Sequence, residues 1–140
     1  MYLVDTNVWL ERLLNQDKSD EVGRFLNQVS ARDLSVTDFT FHSICVILTR
    51  LARSEVLLDF VQDVFVDSAV RLVSLTPDES RTVVDAIEKY KLDFDDAYQY
   101  VAAERNELTL ISFDSDFDKT DKGKKTPADF LRENEAGTAD

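Results

Sequence analysis

Acid stands at both ends of one apolar unit in this chain, Leu92 to Phe117 (LDFDDAYQYVAAERNELTLISFDSDF), and that pattern leaves few folds open. Asp93, Asp95 and Asp96 precede a small-and-aromatic helical pattern. A turn at Asn106-Glu107 follows, and an apolar strand, Leu108 to Ile111, runs into Ser112-Phe113-Asp114-Ser115-Asp116. In an α/β sheet a helix start and the carboxyl end of a parallel strand lie on the same rim, so Asp96 and Asp114 can converge in the crevice where such sheets hold ligands. Carboxylates gathered there repel one another unless a cation joins them. The unit reads as half of a metal site.

The chain before it alternates in the same way. Met1 to Asp5 is a short apolar run stopped by an acid, with Thr6 and Asn7 as capping side chains before Val8, Trp9, Leu10, Leu13 and Leu14 at helical spacing. A second helix is predicted between Asp20 and Ala31, a strand over Leu34 to Val36, and a helix over Phe39 to Leu51 capped by Thr37 or Asp38. Ser54 is read as the cap of a further helix that forms a hairpin with it. Arg71 to Leu75 reads as a strand, and Thr76-Pro77-Asp78-Glu79 is a strong helix start, with proline in the first turn and acids on the positive end of the dipole. Past the acidic unit come a lysine-rich loop turning at Gly123, a short docked piece over Pro127 to Arg132, and a flexible acidic tail over 133–140. The expectation is one α/β domain over 1–132, three layers (α/β/α) around a mostly parallel central sheet.

At 140 residues and 44% apolar, the chain has enough for one full core. The single Cys45, among Ile44, Val46, Ile47 and Leu48, reads as a buried, reduced thiol, and with no apolar run of membrane-spanning length a soluble, cytoplasmic protein is expected, with no membrane partner. The net charge of −12, from 16 basic and 28 acidic residues, argues against unspecific adhesion to nucleic acid. It does not exclude a nuclease, because bound divalent cations reverse the field that a phosphate meets.

Asp5 after the first strand, Asp96 at a helix start and Asp114 after a late strand share one rim. Hard oxygen ligands in small number suit Mg²⁺ or Mn²⁺ better than Zn²⁺, which calls for more His or Cys than this chain has. Hydrolysis of a phosphodiester is the chemistry such a site supports. Haloacid-dehalogenase-like phosphotransfer needs a second acid two residues after the first, where this chain has Asn7.

With LVDTNVW at the start, the helix after SVTDF, DDAYQYVAAERN, LTLISFDSDF and TPADFL, the sequence resembles the PIN-domain ribonucleases, including the VapC toxins of toxin–antitoxin pairs. The resemblance implies that Asp5, Asp96 and Asp114 are metal-binding acids, that Asp116 is an additional acid, that Asn7 is a polar neighbour of the first acid, and that Ser112 stands where the family usually has Thr. It implies a metal-dependent endoribonuclease acting on an RNA substrate, a small antitoxin as partner, and a homodimer. One departure stands out: the family usually carries a Glu in the helix after the second strand, and no acid occurs between Asp38 and Glu55. By spacing His42 is nearest to that position, with Asp38 one turn earlier on the same face. The alternative function is a catalytically weakened PIN-like module that binds RNA or protein.

Plainer roles stand beside these. Asp5 is taken as a ligand rather than a helix cap because Thr6 and Asn7 are present for capping. Asp93 or Asp95 can serve the helix dipole, and Asp114 can belong to a turn with Ser115 and Asp116. His42 reads more simply as a packed, hydrogen-bonded core residue. Trp9 and Phe117 are core or rim aromatics, either able to stack on a base, while Tyr98 and Tyr100 are packing residues. Lys119, Lys122, Lys124 and Lys125 are a solvated loop or, from their place after the acids, contacts for RNA phosphates.

Overall fold

The structure, a computed structural model, describes the backbone of residues 1–138 and the side chains of residues 1–135. Four parallel strands form its sheet: β1 (Tyr2–Val4), β2 (Leu34–Thr37), β3 (Arg71–Val73) and β4 (Thr109–Ile111), in the order β3-β2-β1-β4. β1 pairs with β2 on one side and β4 on the other, so the strand order reverses beside it. That is where a parallel sheet opens a crevice at its carboxyl ends. Val4 delivers Asp5 to this crevice, and Ile111 delivers Ser112 and Asp114.

The helices are α1 (Thr6–Leu13), α2 (Ser19–Gln28), α3 (Asp38–Arg50), α4 (Ser54–Val61), α5 (Ser80–Tyr90), α6 (Phe94–Arg105) and α7 (Pro127–Thr138). They cover both faces, because alternate strand residues point opposite ways. Val4 and Ile111 enter a core with Val8, Trp9, Val22, Phe25, Ile44, Leu48 and Phe130. Leu3 and Leu110 enter the other, with Val83, Ala86, Ala97, Tyr100, Val101 and Phe117. Phe25, fully buried, meets Phe130 edge-on at 5.0 Å, joining α2 to α7, so its truncation to Ala would cost about 3–5 kcal/mol.

Local signals resolve mostly as the sequence implies. Thr37 caps α3, its hydroxyl accepting from Thr40 N at 3.0 Å. Thr76 and Glu79 form a reciprocal capping box before α5, and Gly123 turns with φ +67°. Several expectations are corrected. Ser54 is the first residue of α4 rather than its cap, and one π-helical turn, Gln62–Val66, extends that helix. Cys45 is only partly buried, because it lies beside, not on, the stripe of Ile44 and Leu48. The helix that begins at Pro127 is described through Thr138, beyond the short piece expected to end at Arg132, with Glu133 paired to Lys125 at 2.7 Å; residues 139–140 of the expected tail lie outside the described residues. No helix among the described residues is long and apolar enough to cross a membrane.

Candidate metal centre

Asp5 is buried, 7% exposed, at the carboxyl end of the central strand. Its Oδ1 accepts from Thr6 N at 2.8 Å and from Gln99 Nε2 at 2.9 Å, and its Oδ2 accepts from the Ser112 hydroxyl at 2.7 Å. Asp5 therefore caps α1 as well as facing the crevice, and the reasoning that Thr6 and Asn7 relieve it of capping is corrected. Both of those residues lie inside the helix, where their side chains do other work. Asn7 donates to Ser112 Oγ at 3.3 Å and accepts from Phe113 N at 3.2 Å, fastening α1 to the exit of β4. Ser112 Oγ also accepts from Asp114 N at 3.0 Å. One hydroxyl thus links two of the acids and fixes their spacing.

Asp93 caps α6, accepting from Asp96 N at 2.9 Å, which leaves the Asp96 carboxyl free to turn inward. Asp114 caps the 3₁₀ turn Ser115–Lys119 through Asp116 N at 2.9 Å, so the turn role and the site role coincide in it too. Carboxylate oxygens of Asp96, Asp114 and Asp116 all lie within 4.8 Å of one another. Asp5, Asp95, Asp96 and Asp114 share the walls of a hollow of about 300 Å³ with Asn7, Ser43 and Gln99 among others.

The electrostatics register this crowding. Burial, then the charges of Asp114, Asp93 and Asp5, push the Asp96 carboxyl up to about 7, and it shares a hydrogen bond with Asp114. Burial also raises Asp5, opposed by hydrogen bonds from Gln99, Ser112 and Thr6. Both shifts disfavour the ionised carboxylates, and a cation among them would favour that form. The donors are all hard carboxylate oxygens spaced closely enough to bridge, a set that fits Mg²⁺ or Mn²⁺.

The structure does not bring His42 and Asp38 into this hollow. Successive helical residues are about 100° apart, so it is Ser43 that α3 presents to the acids, while His42 is exposed rather than packed in the core. His42 and Asp38 line a neighbouring hollow with Phe41, Phe94 and Tyr98, and Phe39 is common to both hollows. The two residues border the acids across that ring. Trp9 and Phe117, 3% and 0% exposed, are core, so neither presents a face to a base. Of the four lysines, Lys119 lies 3.9 Å from Asp116, Lys124 pairs with Asp118 at 3.2 Å, Lys125 pairs with Glu133, and Lys122 lines a separate hollow beside Lys89.

The PIN domain family matches residues 2–123, which run from β1 through the acids at the end of β4. The chain belongs to the PIN domain family. A search of curated proteins found no match. Among solved structures, this PIN domain is similar to a chain of a toxin–antitoxin complex from Klebsiella pneumoniae, with 20% identity, 91% of this chain and 98% of that one covered, and a TM-score of 0.73. It is also similar to a chain of FitAcB from Neisseria gonorrhoeae (19% identity, 91% and 99% covered, TM-score 0.71). A third is VapC20 of Mycobacterium tuberculosis, described as a Sarcin-Ricin loop cleaving toxin (15% identity, 84% and 93% covered, TM-score 0.72). At these identities the likeness is one of fold.

Two residues of this PIN domain escape a reading of the sequence. Gln99, 1% exposed, holds Asp5 while its Nε2 also donates to Thr40 Oγ1 at 2.7 Å and its Oε1 accepts from Thr37 Oγ1 at 2.6 Å. The available signal was an amide set among Ala97, Val101 and Ala102, three residues after Asp96 and so on an adjoining stripe of the helix. Ser43 carries no such signal, and only the orientation of α3 selects it.

Proposed function

We propose that this PIN domain is an endoribonuclease dependent on Mg²⁺ or Mn²⁺, the toxin of a toxin–antitoxin pair. The observation that carries the reading is the approach of Asp96, Asp114 and Asp116 to within 4.8 Å beside buried Asp5. Asp5, Asp96 and Asp114 hold the ion, with Asp116 as a further ligand. When bound, a divalent ion supplies charge to steady the phosphoryl oxygens and acidifies a water for attack on phosphorus. Gln99 and Ser112 orient both oxygens of Asp5, and Asn7 holds Ser112 in register. Asp96 must give up its proton before it can ligate. Lys119, whose ammonium donates to the Lys91 carbonyl at 3.2 Å and pairs weakly with Asp116, can exchange these surface contacts for an RNA phosphate.

The antitoxin belongs to the same reading, supported by the fold shared with a chain of the toxin–antitoxin complex from Klebsiella pneumoniae. A groove in which Leu13, Leu26, Val56, Phe60 and Val64 lie beside the charged Arg12, Asp59 and Asp63 offers it a seat, and the buried Trp9 indole N–H has no acceptor among the described residues. A homodimer in the cytoplasm completes the proposal, to be read by light scattering.

Asp5→Asn and Asp96→Asn are expected to abolish Mn²⁺-dependent RNA cleavage with unchanged far-ultraviolet circular dichroism. Full cleavage by both variants would remove the mechanism. The presence of Ser43, rather than an acid, on the α3 wall favours a second reading, a weakened PIN module that binds RNA or protein without cutting. That module would show no cleavage at any Mn²⁺ concentration.

A further inference from the structure

We propose that Phe39, Tyr98 and Phe94 form a stacking platform for a base of single-stranded RNA whose backbone crosses the acidic hollow; the proposal rests on the nuclease reading. The Tyr98 ring lies 6.1 Å from Phe39, tilted by 45°, and 6.1 Å from Phe94, tilted by 37°. Phe94 and Tyr98 are one helical turn apart on α6, so their rings share a face. Phe94 is 52% exposed, a large apolar ring held in water on the wall of the hollow beside the acids.

The platform is rigid at its centre. The Tyr98 hydroxyl accepts from Leu75 N at 3.0 Å and donates to Asp38 Oδ1 at 2.7 Å, which pins the ring between the exit of β3 and the start of α3. A ring fixed in this way loses little freedom when a planar partner arrives. With His42 at the rim, these side chains bound a hollow of about 510 Å³, room for a nucleobase.

Position selects the occupant. The aromatic hollow and the acidic hollow meet at Phe39, so a strand with one phosphate at the acids lays an adjoining nucleotide beside the rings. Charge points the same way. A protein of net charge −12, whose loop lysines Lys124 and Lys125 are already paired, has little general attraction for a polyanion. Stacking is an uncharged hold that every base can satisfy, and single-stranded RNA is commonly held on aromatic faces. This fits a site that secures its substrate by rings and metal rather than by a basic surface.

The test uses a short single-stranded RNA carrying 2-aminopurine, whose fluorescence falls on stacking, mixed with the full chain in Mn²⁺ and read on mixing, with cleavage followed in parallel. Wild-type protein is expected to quench the probe, Phe94→Ala to bind about tenfold more weakly, and Phe94→Tyr to restore binding. If wild type cleaves RNA and Phe94→Ala binds and cleaves equally well, the platform is refuted and the nuclease reading survives. If wild type neither binds nor cleaves, the nuclease reading itself fails and takes the platform with it. Loss of binding that only follows loss of a dimer in sedimentation would assign these rings to a second copy of the chain and refute the proposal.

Discussion

Lowering the pH from 8 to 6 will weaken Mn²⁺ binding by about tenfold, and the reason lies in one carboxyl. Burial and the charges of Asp114, Asp93 and Asp5 hold Asp96 near 7, so in the metal-free protein it keeps a proton that an ion must displace. With a pKa of about 7, the ionised fraction is about 0.9 at pH 8 and about 0.1 at pH 6, and because a ligating carboxylate must be deprotonated the apparent affinity follows that ratio. Asp5, also raised by burial, can only steepen the fall. The assay is titration of free Mn²⁺ by electron paramagnetic resonance across this range at constant ionic strength. Asp96→Asn is the control: it binds more weakly at pH 8 and loses most of the slope. A wild-type affinity that varies less than twofold between pH 6 and 8 would refute the argument.

The same proton governs stability without metal. A carboxyl raised on folding stabilises the native state below its unfolded pKa, near 3.8, and that contribution is lost as pH rises through about 7. The whole shift at Asp96 corresponds to about 4 kcal/mol, which solvent screening of this half-buried group reduces to about 1–2 kcal/mol. Urea midpoints in EDTA should therefore fall between pH 5 and 8, and Mn²⁺ should reverse the fall. Gln99→Leu removes one of the two donors to Asp5 Oδ1 and the acceptor of the buried Thr37 hydroxyl, and is expected to cost about 1–3 kcal/mol in chemical denaturation. Ser43→Glu adds an acid to the α3 wall and is expected to tighten Mn²⁺ at pH 8 several-fold; unchanged binding would mean that this wall does not reach the ion.

The alternation of strands and helices was legible in the chain because hydrophobic periodicity is a local signal, and the meeting of Asp5, Asp96 and Asp114 followed from the rim that a parallel sheet gives its strand ends. The dual service of Asp5 and Asp114 as caps and as site acids was not legible, since capping depends on which backbone N–H a carboxyl meets. Nor was Gln99, whose partners Asp5, Thr37 and Thr40 come from the exit of β1, from β2 and from α3. The displacement of His42 in favour of Ser43 was decided by tertiary structure alone. One residue along a helix turns a side chain by about 100°, and only the docking of α3 on the sheet fixes which neighbour faces the acids. The aromatic row has the same origin: Phe39 comes from one helix, Phe94 and Tyr98 from another, and the Asp38–Tyr98 bond that steadies it spans a long stretch of chain which packing alone brings together.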